Sequence, residues 1–218
     1  MDKEFWLERW ERAEIGFHQD AVNPHLARHW GALAAAPGST VFVPLCGKSL
    51  DMVWLRKNGH PVVGVELSPL AVEAFFDEQG ITPSTTHTAH FHQCEADGIR
   101  ILCGDFFNLT RADLDGVRTV YDRASLVALP PEMRRRYAQH MLDILPPGSR
   151  TLLVAFEYDQ SQMGGPPFAV VPDEVHALYG AGARVELLER ADVLEENAHF
   201  KTRGLTALHE NIFLLTRK

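Results

Sequence analysis

The sequence predicts an α/β protein built on a doubly wound, mostly parallel, seven-stranded sheet with one antiparallel strand. Two observations carry that expectation. Residues 41–68, VFVPLCGKSLDMVWLRKNGHPVVGVELS, read as strand, tight glycine turn, helix and strand, the unit from which parallel sheets are wound. At the far end two β-patterned runs, Arg184 to Val193 and Leu205 to Thr216, are separated by about ten residues with no helical pattern. That gap is too short for a parallel crossover, so these last strands should pair antiparallel.

Taken in order, residues 1–20 carry Phe5, Trp6, Trp10, Ile15 and Phe17 among charges. Trp6 and Trp10 stand four apart and share a helical face. Two readings fit this segment: a helix docked on the core by its aromatic rings, or a lid over a ligand, with Gly16 as a joint before Phe17 and His18. Asn23-Pro24 caps and starts a helix that runs to about Ala35.

Val41, Phe42, Val43 and Leu45 form a short apolar run without alternation, which suits a strand covered on both faces. Gly47 then turns the chain. Ser49 caps a helix from about Leu50 to Asn58, and Gly59 supplies its left-handed stop. Val62 to Val65 make the second strand, which ends in Glu66. A carboxylate at that distance, about 20 residues past the turn, is where a βαβ nucleotide fold accepts hydrogen bonds from ribose hydroxyls. The turn itself, Pro44-Leu45-Cys46-Gly47-Lys48-Ser49, has one glycine where G-x-G-x-x-G has three. A pyrophosphate needs the glycine-lined approach and a nucleoside without phosphates does not, so the turn favours S-adenosylmethionine over NAD or FAD. Gly47-Lys48-Ser49 also imitates the end of a P-loop, but Phe42 stands where that motif requires its first glycine, which excludes an NTPase.

Ser68-Pro69 starts a third helix, stopped at Gly80. Residues 81–98 form a polar insertion with His87, His90, His92 and Cys94. Their spacing matches no closed zinc pattern, and alternate residues also fit one face of a surface hairpin, so no metal is expected. The third core strand, Arg100 to Gly104, ends at Asp105-Phe106 on the carboxyl edge, where open α/β sheets bind ligands. An acid beside an aromatic ring can hold an adenine, or the pair can be a surface turn. Val117 to Tyr121 is the fourth strand and delivers Asp122-Arg123 to the same edge. Arg123 there either faces solvent or serves the cofactor. Pro130-Pro131 begins a helix, and its Arg134-Arg135-Arg136 run reads as a solvated face. Arg150 to Glu157 is the fifth strand, and the loop Gln160 to Ala169, with Gly164-Gly165-Pro166-Pro167-Phe168, is a candidate substrate wall. After a helix from about Asp173 to Tyr179 comes the antiparallel pair. A reversed strand in this place marks the methyltransferase variant of the doubly wound fold.

The 218 residues fit one domain spanning 1–218. Apolar residues make up 45% and charged residues 23%, as in ordinary soluble globular proteins. A net charge of −8 argues against a nucleic-acid partner and suits a cationic sulfonium cofactor. The absence of an 18-residue apolar span and of a signal-peptide pattern predicts a cytoplasmic protein with no membrane partner, and a monomer is expected. Cys46, Cys94 and Cys103 lack C-x-x-C spacing, which fits a reducing compartment.

The segments FWLERWERAEIGFHQ, VFVPLCGKSLDMVWL, GHPVVGVELS, VYDRASLVAL and GGPPF resemble the thiopurine S-methyltransferase family in its bacterial branch, over nearly the whole chain. The resemblance implies transfer of a methyl group from S-adenosylmethionine to the sulfur of thiopurines and other aromatic or heterocyclic thiols, with S-adenosylhomocysteine as the other product. It also implies a link to selenium and tellurium methylation and to tellurite resistance. Carried over by motif, Trp10, Leu45, Glu66 and Arg123 contact the cofactor, Trp6 and Gly47 lie in the same walls, Asp105 and Phe106 sit at adenine, and Phe17 and His18 face substrate. Mammalian members place a further arginine before the last strand, where this chain is slightly longer and offers Arg203.

The chemistry that follows is in-line displacement by a sulfur nucleophile. Thiolates are strong nucleophiles, so no dedicated base is required and positioning dominates. Arg123 stabilises or orients the substrate anion in this scheme, and His18 handles a proton. Two rivals share parts of the pattern: a catalytically silent nucleoside-binding module, and an NAD-dependent oxidoreductase, which needs the fuller glycine turn. An amino-methylating nucleic-acid enzyme carries N/D-P-P-Y/F after its fourth strand, and Asp122-Arg123-Ala124-Ser125 departs from it.

Overall fold

Burial on both faces decides the first strands. Val41–Val43 (β1) and Val62–Glu66 (β2) are buried at every position and pair in parallel, with Val41 opposite Val62. The structure, a computed structural model, describes residues 3–218, and its chain divides into two compact units that meet in sequence at Tyr121 and Asp122. In the first unit, Lys3–Glu11 (α1) and Pro24–His29 (α2) precede β1. Leu50–Lys57 (α3) links β1 to β2, and Pro69–Glu78 (α4) follows β2. The capping residues behave as the sequence predicts. The side chains of Asn23, Ser49 and Ser68 accept from the amides of His25, Asp51 and Ala71, and Gly59 and Gly80 close α3 and α4 at positive φ.

The polar insertion takes the hairpin form that the alternation of its residues allows. It forms a hairpin, Ser84–His87 (β3) and His92–Ala96 (β4), laid antiparallel along Ile99–Cys103 (β5), which pairs in parallel with β2. With Thr119–Arg123 (β6) beside β1, the strand order is β3-β4-β5-β2-β1-β6. No residue of β3 is buried, so backbone hydrogen bonds to a neighbour hold this strand without any apolar alternation to betray it. β6 also lies two residues later than expected, so Asp122 and Arg123 belong to the strand itself.

The second unit holds Ser125–Ala128 (α5), Pro131–Ile144 (α6), Arg150–Glu157 (β7), Pro172–Tyr179 (α7), Ala183–Asp192 (β8), Ala198–Thr202 (α8) and His209–Arg217 (β9). Its strand order is β7-β9-β8, with β9 antiparallel to both neighbours. The antiparallel pairing at the end of the chain is therefore observed. Nine strands form in all among the described residues, against seven expected, and two are reversed, β4 and β9, against one. The linker before β9 is not without helix either. It folds α8, and its Leu205 and Leu208 join Tyr158, Met163, Val193, Leu194 and Phe200 in a separate apolar cluster, which is why β9 begins at His209 and not at Leu205.

One further reading is corrected here. Arg134 is not on a solvated face: it is 2% exposed and lies on the buried stripe of α6 with Tyr137, Ala138 and Met141. Arg135 pairs with Glu132 on the exposed side. No helix among the described residues is long and apolar enough to cross a membrane.

Candidate active site

In the first unit the turn after β1 is the most constrained piece of backbone. Leu45 and Gly47 both have positive φ, 45° and 50°. For leucine that conformation costs of the order of 1 kcal/mol or more, a strain that persists only where the surroundings fix it. The Cys46 amide donates to the Val65 carbonyl at 3.0 Å. Cys46 is buried against Gly64 of β2, where a Cβ would stand 2.7 Å from its sulfur. Burial pushes the Cys46 thiol well above its ordinary range, aided by the neighbouring Glu66 carboxylate, so it is a packing residue and not a nucleophile.

Glu66 ends β2 and is 7% exposed. Its Oε2 accepts from the Gly47 amide at 2.9 Å and its Oε1 from the Ser68 amide at 2.8 Å. Burial pushes this carboxyl up, and the Ser68, Gly47 and Leu67 amides pull it back. A carboxylate oxygen has more than one lone pair, so both oxygens can still accept from a vicinal diol while holding the turn.

The N-terminal segment covers this turn. The Trp10 ring lies over Gly47, 3.4 Å from where a Cβ would stand, an ordinary van der Waals contact, so it is the positive φ of the turn that favours glycine here. Trp6 and Trp10 each meet Phe17 edge-on, at 5.9 and 5.7 Å between centroids. Lys3 pairs with Asp105 at 2.7 Å, and Asp105 also accepts from the Phe107 amide. No residue of α1 is buried, and Phe17 is 38% exposed. The segment thus rests on the turn by half-covered rings and one ion pair, and Met1 and Asp2 of the 1–20 segment lie outside the described residues. His18 is half-buried, with Nε2 3.8 Å from an Asp20 oxygen. Phe106 is 4% exposed, packed edge-on against Phe107.

The second unit begins with a buried acid. Asp122 has no exposure, and its Oδ2 accepts from the Tyr137 hydroxyl at 2.7 Å. Its Oδ1 is buried without a hydrogen-bond partner among the described residues. Burial pushes this carboxyl up to about 6, against the hydrogen bonds from Tyr137 and Ser125. Arg123 follows at the strand end, half-buried and with no hydrogen bond or ion pair among the described residues. Ala124, at φ 66°, turns the backbone sharply into α5. Arg203, at the end of α8, lies over the Phe200 ring at 5.9 Å. The sequence reading missed what Asp122 does, because an acid at a strand end looks the same whether it faces solvent or a tyrosine. Arg134 did carry a signal, since it shares a 3.6-residue stripe with Tyr137, Ala138 and Met141.

Comparison with known proteins agrees with the fold. The Thiopurine S-methyltransferase family matches residues 1–218. Thiopurine S-methyltransferase of Nitrosospira multiformis is 58% identical over 215 residues, 99% of this chain and 98% of that protein. The Azotobacter vinelandii protein of the same name is 53% identical over 218 residues and the full length of both. Among solved structures, a Burkholderia thailandensis 1,6-didemethyltoxoflavin-N1-methyltransferase with bound S-adenosylhomocysteine superposes with a TM-score of 0.66 at 16% identity, over 99% of this chain and 87% of that one. An S-adenosylmethionine-dependent methyltransferase of Anabaena variabilis gives 0.64 at 13% identity, over 99% and 95%. The strand-end acid, the single-glycine turn and the aromatic cover are thus set in a methyltransferase fold, and the chain belongs to the thiopurine S-methyltransferase family.

Proposed function

We propose that the chain transfers a methyl group from S-adenosylmethionine to the sulfur of thiopurines and other aromatic or heterocyclic thiols. The observation that carries this reading is the Glu66 carboxylate, buried and anchored to the Gly47 and Ser68 amides, with the Trp10 ring lying over Gly47. The residues fit the cofactor: an acid with free lone pairs for a ribose diol, and a glycine turn with no room or need for phosphates. When bound, the cofactor supplies a sulfonium-activated methyl group. We assign its contacts to Trp6, Trp10, Leu45, Gly47, Glu66, Asp105, Phe106 and Arg123, with Phe106 backing Asp105 from the core.

The protein's own part is to hold and to exclude. Leu45 and Gly47 fix the floor in a strained backbone, and the Trp6, Trp10 and Phe17 rings keep water from it, which strengthens every electrostatic contact beneath. Arg123, a cation without a partner among the described residues, lowers the energy of a thiolate and keeps it ionised. Phe17 and His18 face the substrate, and His18 takes up a proton when the thiol arrives neutral. Orienting the reactants supplies roughly 7–11 kcal/mol in well-positioned systems, enough to do without a metal or a dedicated base. We read the two units as one catalytic domain, 1–218, because their boundary falls inside β6, and we expect a cytoplasmic monomer with no nucleic-acid or membrane partner. Methylation of selenium or tellurium compounds, and tellurite resistance with it, is a second activity that the same soft-nucleophile chemistry allows.

Calorimetry with S-adenosylhomocysteine, followed by a thiol panel scored for S-adenosylhomocysteine release from S-adenosylmethionine, tests the reading. Micromolar binding with turnover of 6-mercaptopurine is the expected outcome. Binding with no turnover of any thiol makes the chain a silent nucleoside-binding module and sinks the proposal.

A further inference from the structure

We propose that Arg134 is the positioning residue of the 158–169 loop, and that the shape it gives that loop sets the preference of the enzyme for ring-bearing thiols over aliphatic ones. This rests on the methyltransferase reading above and deepens it. Arg134 is almost fully buried, and a buried guanidinium is retained only where its donors are well used. Nε donates to the Leu129 carbonyl at 2.9 Å, just after α5. Nη1 donates to the Ala169 carbonyl at 3.0 Å and reaches both oxygens of Glu174, in α7, at 2.7 Å. The guanidinium carbon also lies 5.8 Å from the centroid of the Phe168 ring. One side chain therefore ties α6 to the end of α5, to the end of the loop and to α7.

The loop is folded around that anchor. The Phe168 amide donates to the Val127 carbonyl at 2.6 Å, and the Tyr158 hydroxyl donates to the Pro167 carbonyl at 2.6 Å. Gln160 donates to the Met163 carbonyl and accepts from the Ala169 amide. Gly165 has φ 70°, and a Cβ on it would stand 2.4 Å from the Phe168 ring, so the ring is clasped between Gly165 and Arg134. What this leaves for a ligand is Gly164, Gly165, Pro166 and Pro167: two residues without side chains, then two without amide hydrogens. Such a wall is flat and apolar and lacks side-chain hydrogen-bond donors. It suits the face of a planar ring and gives nothing to an aliphatic thiol. Its flatness depends on an anchor whose rigid fork engages several acceptors at once, which a lysine cannot reproduce.

The test uses the full chain and the variants Arg134→Lys and Phe168→Leu, with 6-mercaptopurine as the ring thiol and 2-mercaptoethanol as the aliphatic one. Arg134→Lys should raise KM for 6-mercaptopurine about tenfold, the effect of losing roughly one net hydrogen bond. Its kcat, its KM for 2-mercaptoethanol and its S-adenosylhomocysteine affinity should stay within about twofold, and amide exchange should speed up across residues 160–169. Phe168→Leu should change the same quantities in the same direction, which keeps the proposal testable if Arg134→Lys does not fold. A lower melting temperature with the KM ratio of the two thiols unchanged would make Arg134 purely structural and overturn the proposal. If the wild type turns over neither thiol, the methyltransferase reading fails by itself. Exchange then decides the anchor: acceleration confined to 160–169 upholds it, and unchanged exchange in both variants overturns it.

Discussion

The turn at the end of β1 and the helix α1 that rests on it are opposites in how they are held. The turn is fixed from below: Glu66 bridges the Gly47 and Ser68 amides, Cys46 is packed on Gly64, and Leu45 is kept in a strained conformation. The helix has no buried residue, packs its tryptophans edge-on against Phe17 of the same segment, and reaches beyond that segment through the Trp10 ring over Gly47 and the Lys3–Asp105 pair. An exposed ion pair of that kind contributes little to stability. The turn is therefore fixed by buried contacts of its own, while the helix over it is held only lightly.

The strongest way to break that contrast is to remove the floor. Glu66→Ala takes away the acceptor for the Gly47 and Ser68 amides, and a buried donor left unsatisfied costs about 1–3 kcal/mol. We expect a clear fall in melting temperature and, by the loss of a charge-assisted bond, a fall in S-adenosylhomocysteine affinity of at least tenfold. Glu66→Gln, which keeps one acceptor oxygen, should recover most of the stability and little of the affinity. Calorimetry and thermal melts check both. Wild-type affinity in Glu66→Ala would remove Glu66 from the site.

Removing the cover should do the reverse. Truncating one fully buried tryptophan costs roughly 3–5 kcal/mol, yet α1 buries none of its residues. Deleting residues 1–20 should therefore shift the ligand-free melt by only a few degrees, on the scale of about 2–4 °C per kcal/mol for a chain of this size. Cofactor affinity should fall by an order of magnitude or more, and methyl transfer should nearly vanish. A drop in the ligand-free melt beyond roughly 10 °C would show that the aromatic residues are ordinary core.

How much of this was legible in the sequence follows the same divide. The floor was readable because its parts are local: an apolar run, one glycine, a capping serine and an acid at a fixed distance, all within 41–68. The antiparallel ending was readable from the length of a gap. The hairpin of β3 and β4 was readable only as an alternative, from the alternation of His90, His92 and Cys94, and its pairing along β5 was not, since strands held mainly by backbone hydrogen bonds leave no apolar period. Asp122 was hidden for another reason: whether a strand-end acid meets water or the Tyr137 hydroxyl depends on a helix 15 residues away. Arg134 was misread because a run of three arginines suggests charge, while only its place on the α6 stripe reveals burial.

Asp122 gives a smaller effect with a definite sign. Its carboxyl titrates near 6 in the folded protein and near 3.9 when unfolded, so between those values the folded state holds the extra proton and stability declines as pH rises. Above about 6 the contribution is flat. In Asp122→Asn the titration is gone, so its stability relative to wild type should climb from pH 4 to pH 6 and then level off, as urea melts across that range can measure. A constant difference would mean that the burial of Asp122 in the fold costs its ionised form nothing.

The smallest expected effect is none: chelation with EDTA should leave methyl transfer unchanged. The hairpin histidines are the reason to make the test. His87 and His92 are direct cross-strand neighbours, and their rings are stacked at 4.4 Å with planes 7° apart. An imidazole lone pair lies in the plane of its own ring, and an ion cannot sit in two parallel planes at once, so this stacked pair cannot form a chelate without breaking. Cys94, which shares the hairpin, is buried with its thiol pushed up by that burial, which disfavours the thiolate that a metal requires. Displacement at a sulfonium needs no Lewis acid, because the leaving group is already neutral once the methyl has moved. Activity lost in EDTA and restored by zinc would refute this, and repeating the assay with His87→Ala would then decide whether the hairpin is where the ion acts.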